Sequence, residues 1–217
     1  MKKIVLILIL AISACSPQKS ITDRVTLTSP DGDLSMEFLL EDGIPMYTLK
    51  HKGTDVLLPS RLGFEIRGSM KSALIRFDGD HITKSDVKPS FLLDRNFELL
   101  CTSNSSFDEY WEPVWGEESS IRNHYHELLV ELKQKESGHL LNIRFRLFDD
   151  GLGFRYEFPD KQRLTHFAIK EELTEFAMAD DCFAWWIPGD YDTQEYEYGE
   201  CKLSEIEENF KEQIWAN

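Results

Sequence analysis

The chain has 217 residues, 24 basic against 39 acidic, for a formal charge of -15. A surface of that sign repels nucleic acid and anionic lipid and tolerates cations and neutral polar ligands. Hydrophobic residues make up 41% and aromatics 12%, which excludes a disordered acidic tail and supplies a substantial core.

The first residues have the form of an export signal. Met1-Lys2-Lys3 is a charged start, Ile4 to Ile12 an apolar run too short to span a bilayer, and Ile12-Ser13-Ala14-Cys15 a small-residue cleavage site ending in cysteine. This resembles a bacterial lipobox. The resemblance implies a signal peptide over 1–14, lipidation of Cys15, a tether over 15–23 and one domain over 24–217. The protein is then expected in the periplasm, held at the membrane, in all expectation the outer one, only through its lipid anchor. Lipidation leaves Cys101, Cys182 and Cys201; an odd number allows at most one internal disulfide, and spacing does not choose the pair.

From Arg24 onward the pattern is alternation and turn. Val25 to Thr28, the turn at Ser29-Pro30-Asp31-Gly32 and the alternating Leu34 to Leu40 read as a hairpin. Glu41-Asp42-Gly43 turns into a strand at Met46–His51, Lys52-Gly53 turns again, and short strands follow at Val56–Leu58 and Leu62–Arg67. Residues 68–96 carry only weak strand signals at Leu74–Phe77 and Phe91–Leu93. Phe97–Thr102 is expected as a strand, and Asn104-Ser105-Ser106 as the start of an irregular segment. His124–Leu132 reads as a strand. Leu140–Phe148, the turn Asp149-Asp150-Gly151 and Phe154–Phe158 give the strongest hairpin in the chain. Phe167 to Met178 suits strand, turn and strand or a helix, with strands preferred in a β context, and Leu203 to Trp215 suits a short helical tail. An all-β sandwich of about a dozen antiparallel strands fits this order.

Two stretches crowd aromatics with carboxylates. Asp108 to Glu118 holds Trp111 and Trp115 and is followed by Arg122-Asn123-His124; Ala184 to Tyr198 holds Trp185 and Trp186, then Asp190, Asp192, Glu195 and Glu197. Indoles stack on sugar rings while charged and amide groups bond the hydroxyls, so both stretches suit the walls of a sugar site. Tryptophans that plug a sheet edge beneath a solvated acidic turn fit the same composition, and both readings stand. His124 and His126 lie two apart on one strand face, but without a nearby third ligand a structural role is the better reading. The acids after Gly189 are hard oxygen donors suited to calcium, although their spacing is not that of an EF-hand loop.

Four segments in order, Trp111–Glu117, Ile121–Tyr125, Phe148–Tyr156 and Trp185–Tyr196, resemble the N-terminal domain of glycoside hydrolase family 97, exported Bacteroidetes α-glucosidases and α-galactosidases. The resemblance implies an antiparallel β super-sandwich of galactose-mutarotase-like type that precedes a catalytic (β/α)8 barrel. By resemblance the catalytic carboxylates belong to the barrel, Glu195 donates to a calcium ion whose site the barrel completes, and Asn217 approaches an α-linked oligosaccharide. Trp111, Trp115, Arg122, Asn123, His124, Trp185 and Trp186 are expected along one wall of that site. The sandwich itself is expected to be incomplete at the C-terminus. A stand-alone carbohydrate-binding lipoprotein without hydrolytic activity is the alternative.

Overall fold

Tight turns with the chemistry that two-residue hairpins demand set up the first half of the fold. The computed structural model describes residues 24–67, 77–78, 81–82, 90–159, 167–189 and 196–215. Strands β1 (Arg24–Thr28), β2 (Leu34–Glu41), β3 (Ile44–His51) and β4 (Thr54–Arg61) form one antiparallel sheet in that order. At both tight turns the central residues have positive φ, Asp42 and Gly43 at 51° and 76°, Lys52 and Gly53 at 51° and 82°. That is the twist that matches right-handed strands.

After β5 (Phe64–Arg67) come two short pairs of residues, β6 (Phe77–Asp78) and β7 (His81–Ile82), then β8 (Phe91–Leu93). β9 (Phe97–Trp111), β10 (Ile121–Gln134), β11 (Leu140–Leu147) and β12 (Leu152–Glu157) form a second four-stranded sheet, ordered β12-β11-β10-β9. It lies against the first: β2 meets β9 and β11, and β1 meets β10. β13 (Ala168–Glu172) joins β5 and β8 in a three-stranded flank, and β14 (Phe183–Trp186) pairs with β15 (Gly199–Lys202). A 3-10 turn at Leu203–Glu205 leads into the helix α1 (Ile206–Trp215).

The core follows from period-two alternation. Met36, Phe38 and Tyr47 from the first sheet meet Leu128, Val130, Leu132, Ile143 and Phe145 from the second, all fully buried. Phe145 stands 6.3 Å from Phe38 and 6.1 Å from Tyr47, and Phe154 joins them at 5.7 Å from Phe145. Two polar ties lock the sheets together at their rims. Asp149 accepts from the Asp31 backbone N–H at 2.9 Å, and the His126 ring Nδ1 lies 2.8 Å from the Thr28 carbonyl.

Two expectations are corrected. The segment from Asn104 is not irregular; it continues β9 as far as Trp111, because β10 pairs with it through the whole length. Phe167 to Met178 gives one strand instead of two. Beyond Glu172 the chain runs beside β4 and β5 with isolated bonds, such as Leu173 N to Gly63 O and Glu175 N to Arg61 O, and a single bridge between Leu57 and Met178.

Candidate functional site

The exposed aromatic ribbon is built by a mismatch in strand length. β11 pairs with β10 only from His126 to Lys133, whereas β9 pairs with it from Ile121 to Gln134. The last third of the β9–β10 hairpin therefore stands beyond the four-stranded sheet as a two-stranded ribbon closed by residues 112–120. Trp111 is half exposed, Val114 fully exposed and Trp115 88% exposed, with Tyr110 and Ile121 also open. Isolated two-stranded ribbons are marginal in water, and indoles seldom stay this wet without a use.

Strand alternation divides the candidate residues on the ribbon between its two faces. Arg122 and His124 share one face with Tyr110 and Asp108, while Asn123 shares the other with Glu109 and Trp111. Arg122 holds Asp108 by a two-pronged bond, Nε to Oδ1 and Nη2 to Oδ2, both 2.8 Å. Its guanidinium also lies 5.9 Å from the Tyr110 ring centre. The Arg122 hydrogen bonds hold the Asp108 carboxyl below the usual range and raise the guanidinium in turn. Asn123 faces Glu109 at 3.5 Å. A locked arginine and a free-standing indole plane are the groups that bond and stack a sugar.

The second stretch splits in the same way. Trp185 and Trp186 are neighbours in sequence and opposites in space, since β14 throws them to opposite faces. Trp186 is the plug: its indole N–H donates to Cys201 Sγ at 3.1 Å, and its ring lies 6.3 Å from Phe210 on α1. It sits over Gly199, directly opposite on β15, where a Cβ would come within 2.8 Å of the ring. Trp185 is 68% exposed, beside open Phe183 and Tyr198. Asp181 anchors this tier by accepting from the backbone and hydroxyl of Ser204, both at 3.0 Å. The Ser204 bonds, backbone first, keep its carboxyl low. Tyr196 to Tyr198 is not a strand.

Cys15, Glu195 and Asn217, the lipidation, metal and substrate expectations, lie outside the described residues. Among the described residues no three His, Cys, Asp or Glu side chains stand close enough to hold a metal; Asp190 and Asp192, like Glu195, lie outside the described residues. Cys101, Cys182 and Cys201 are free thiols.

An arginine ladder on the outer face of the second sheet was missed from the sequence. Arg144 donates to Glu127 at 2.5 Å and to Glu157 at 2.7 Å, Arg146 to Glu127 at 2.8 Å, and Arg155 to Glu157 at 3.0 Å. Burial pushes the Glu127 carboxyl up, but the bonds from Arg146 and Arg144 outweigh it and hold it low; Glu157 is held low by Arg144 first. The signal is present in Arg144-Phe145-Arg146 and Arg155-Tyr156-Glu157 as opposite charges on one phase of the alternation.

Residues 27–216 match the family described as glycosyl-hydrolase 97 N-terminal. Among solved structures, a glycoside hydrolase family 97 enzyme from Pseudoalteromonas sp. strain K8 in complex with acarbose is 28% identical with a TM-score of 0.67, over 82% of this chain and 24% of that one. A variant of that enzyme in complex with panose matches over 81% and 24%, with a TM-score of 0.66. A β-arabinopyranosidase, 21% identical over 81% of this chain and 26% of its own, shares the fold with a TM-score of 0.63. The chain thus spans about a quarter of the length of these structures, and the expected antiparallel β-sandwich is the one observed. With a match across nearly all the described residues, the chain belongs to the N-terminal domain family of glycoside hydrolase family 97.

Proposed function

We propose that this chain is the N-terminal domain of an exported α-glycoside hydrolase, an α-glucosidase or α-galactosidase, and that it supports an active site whose catalytic groups belong to a following barrel. The observation that carries this reading is the pair of uncovered aromatic surfaces, the ribbon with Trp111 and Trp115 and the tier with Trp185. Aromatic area this large normally meets another protein surface or a ligand. Arg122 and His124 share one face of that ribbon and Asn123 the other, so a domain docked over one face would bring either the first two or Asn123 beside the sugar. Glu195 supplies one hard oxygen to a calcium ion there, with the remaining donors from the barrel, and Asn217 approaches the α-linked oligosaccharide. Signal peptide, Cys15 anchor and periplasmic location complete the reading, supported by the residues before Ser16.

Assay of the 217-residue chain on nitrophenyl α-glucoside and α-galactoside, with and without calcium, tests the proposal. No turnover is expected, and calorimetry with calcium should show weak binding or none; sub-micromolar calcium affinity counts against a site completed elsewhere. The exposure of Trp115 and Trp185 also favours a second reading, a carbohydrate-binding lipoprotein that needs no barrel. Saturable heat with panose and no turnover would support that reading, and turnover by this chain alone would overturn both.

A further inference from the structure

The outer face of the β11–β12 hairpin is cationic in a chain of net charge -15. Arg144, Arg146, Phe148, Gly153, Phe154 and Arg155 line a depression of about 200 Å³, near the size of one pyranose ring and too small for a longer ligand. Three guanidinium groups meet two carboxylates, Glu127 and Glu157, which leaves one positive charge uncompensated. Arg144 is fully engaged with both carboxylates. Among the described residues Arg146 gives only Nε to Glu127, and it lies 4.5 Å above the Tyr125 ring, which fixes its plane while its terminal amines carry no bond there. Arg155, the most exposed of the three, uses Nε and Nη2 on Glu157 Oε1.

Gly153 is the independent observation. It pairs directly with Arg146 inside β12, it has no positive φ, and a Cβ built on it would meet nothing within 4 Å. Neither backbone geometry nor packing among the described residues calls for glycine at that position. Glycine inside a strand weakens it and commonly marks the close approach of a ligand. Here the missing side chain opens the floor between Arg146 and Arg155, with the half-buried Phe148 ring at one end.

We propose that this depression binds a sugar acid of the hexuronate class. The carboxylate takes the open amines of Arg146 and Arg155 in a planar, two-pronged contact, and the ring lies over Gly153 against Phe148. The inference stands on this sheet face and does not require the function proposed above.

The test is side-chain NMR of the full chain, following arginine Nε–H signals during titration with glucuronate, glucose and acetate. Glucuronate should shift Arg146 and Arg155 saturably and glucose should not. Acetate should bind at least fivefold more weakly, since it lacks the ring. Arg155→Gln should weaken glucuronate about tenfold, the loss of one charged hydrogen-bonding partner. Gly153→Val should abolish binding while the thermal midpoint holds or rises, because valine suits a strand and has room. Equal shifts with glucose, acetate as tight as glucuronate, or binding that survives Gly153→Val would each overturn the proposal.

Discussion

The body of the sandwich and the ribbon at its end are made by the same hairpin, β9–β10, yet they obey opposite rules of burial. Below His126 every second residue of β10 is buried against the facing sheet, with Leu128, Val130 and Leu132 all at 0% exposure. Above it β11 no longer pairs with β10, the core-facing phase passes to the polar His124 and Arg122, and the apolar Tyr125 and Ile121 fall on the other phase. Phe107, Tyr110, Trp111 and Ile121 there stay wet, although their backbone bonds are as complete as those in the body. Burial is therefore a property of what stands opposite a strand, and a ribbon of this kind is half of a packing arrangement. Substitutions in the two regions should differ most in stability, and the widest contrast is in the core. Phe145→Ala removes the ring that Phe38, Tyr47 and Phe154 surround. It should cost about 3–5 kcal/mol in denaturant unfolding.

Between core and ribbon lies the Glu127 ladder, polar yet largely covered, with the Glu127 side chain only 11% exposed. Glu127→Gln leaves Arg144 and Arg146 without their shared charge partner and should cost about 1–3 kcal/mol. The pH dependence has a definite sign. The Glu127 and Glu157 carboxyls are lower in the folded state than the ordinary glutamate value of 4.5 that the unfolded chain shows. Their contribution is thus fully present above that pH and is lost as pH falls through it toward the folded values. Thermal melts from pH 6 downward should show a fall that begins near the unfolded value and is smaller in Glu127→Gln; parallel curves would remove the ladder from the stability of the sandwich.

The β14–β15 tier gives an intermediate effect through a different cause. Alanine at Gly199 would place its Cβ within 3.0 Å of three atoms of the Trp186 indole. The ring must move off Cys201 and Phe210, with a loss of about 1–3 kcal/mol typical of overpacking. Indole fluorescence should shift red as Trp186 becomes wetter; an unchanged spectrum with unchanged stability would mean that the tier is loose enough to absorb the methyl group.

How much of this was readable in the sequence follows from the same contrast. Hairpins 24–51 and 140–158 were legible because one face is buried, so hydrophobic residues recur with period two, and because Asp42-Gly43 and Lys52-Gly53 carry turn chemistry. Asn104-Ser105-Ser106 was misread because both of its faces are exposed; a strand with nothing to bury has no alternation to show. Phe167–Met178 was overread because partly apolar residues there follow the β4–β5 edge through isolated bonds. The crowding of aromatics with carboxylates located both stretches, but adjacency in sequence hid the separation of Trp185 from Trp186 and of Asn123 from Arg122. Opposite strand faces undo what neighbouring numbers suggest.

The smallest predicted effect is the one that bears most directly on the ribbon. Trp115 is 88% exposed in the closing loop, and no ring contact or hydrogen bond ties it down among the described residues. If its only task were to plug an edge of this domain, Trp115→Ala would destabilise the chain. As a group held ready for a surface outside it, Trp115 should yield to alanine with a change within about 0.5 kcal/mol, the range of ordinary surface substitutions. Urea unfolding of the two proteins side by side decides this, and a loss above that range would return the indole to the sandwich. Solubility supplies the matching readout. Removing an uncovered indole should raise the concentration at which the isolated chain self-associates in light scattering, since exposed aromatic area is what two copies would bury in the absence of the proper partner.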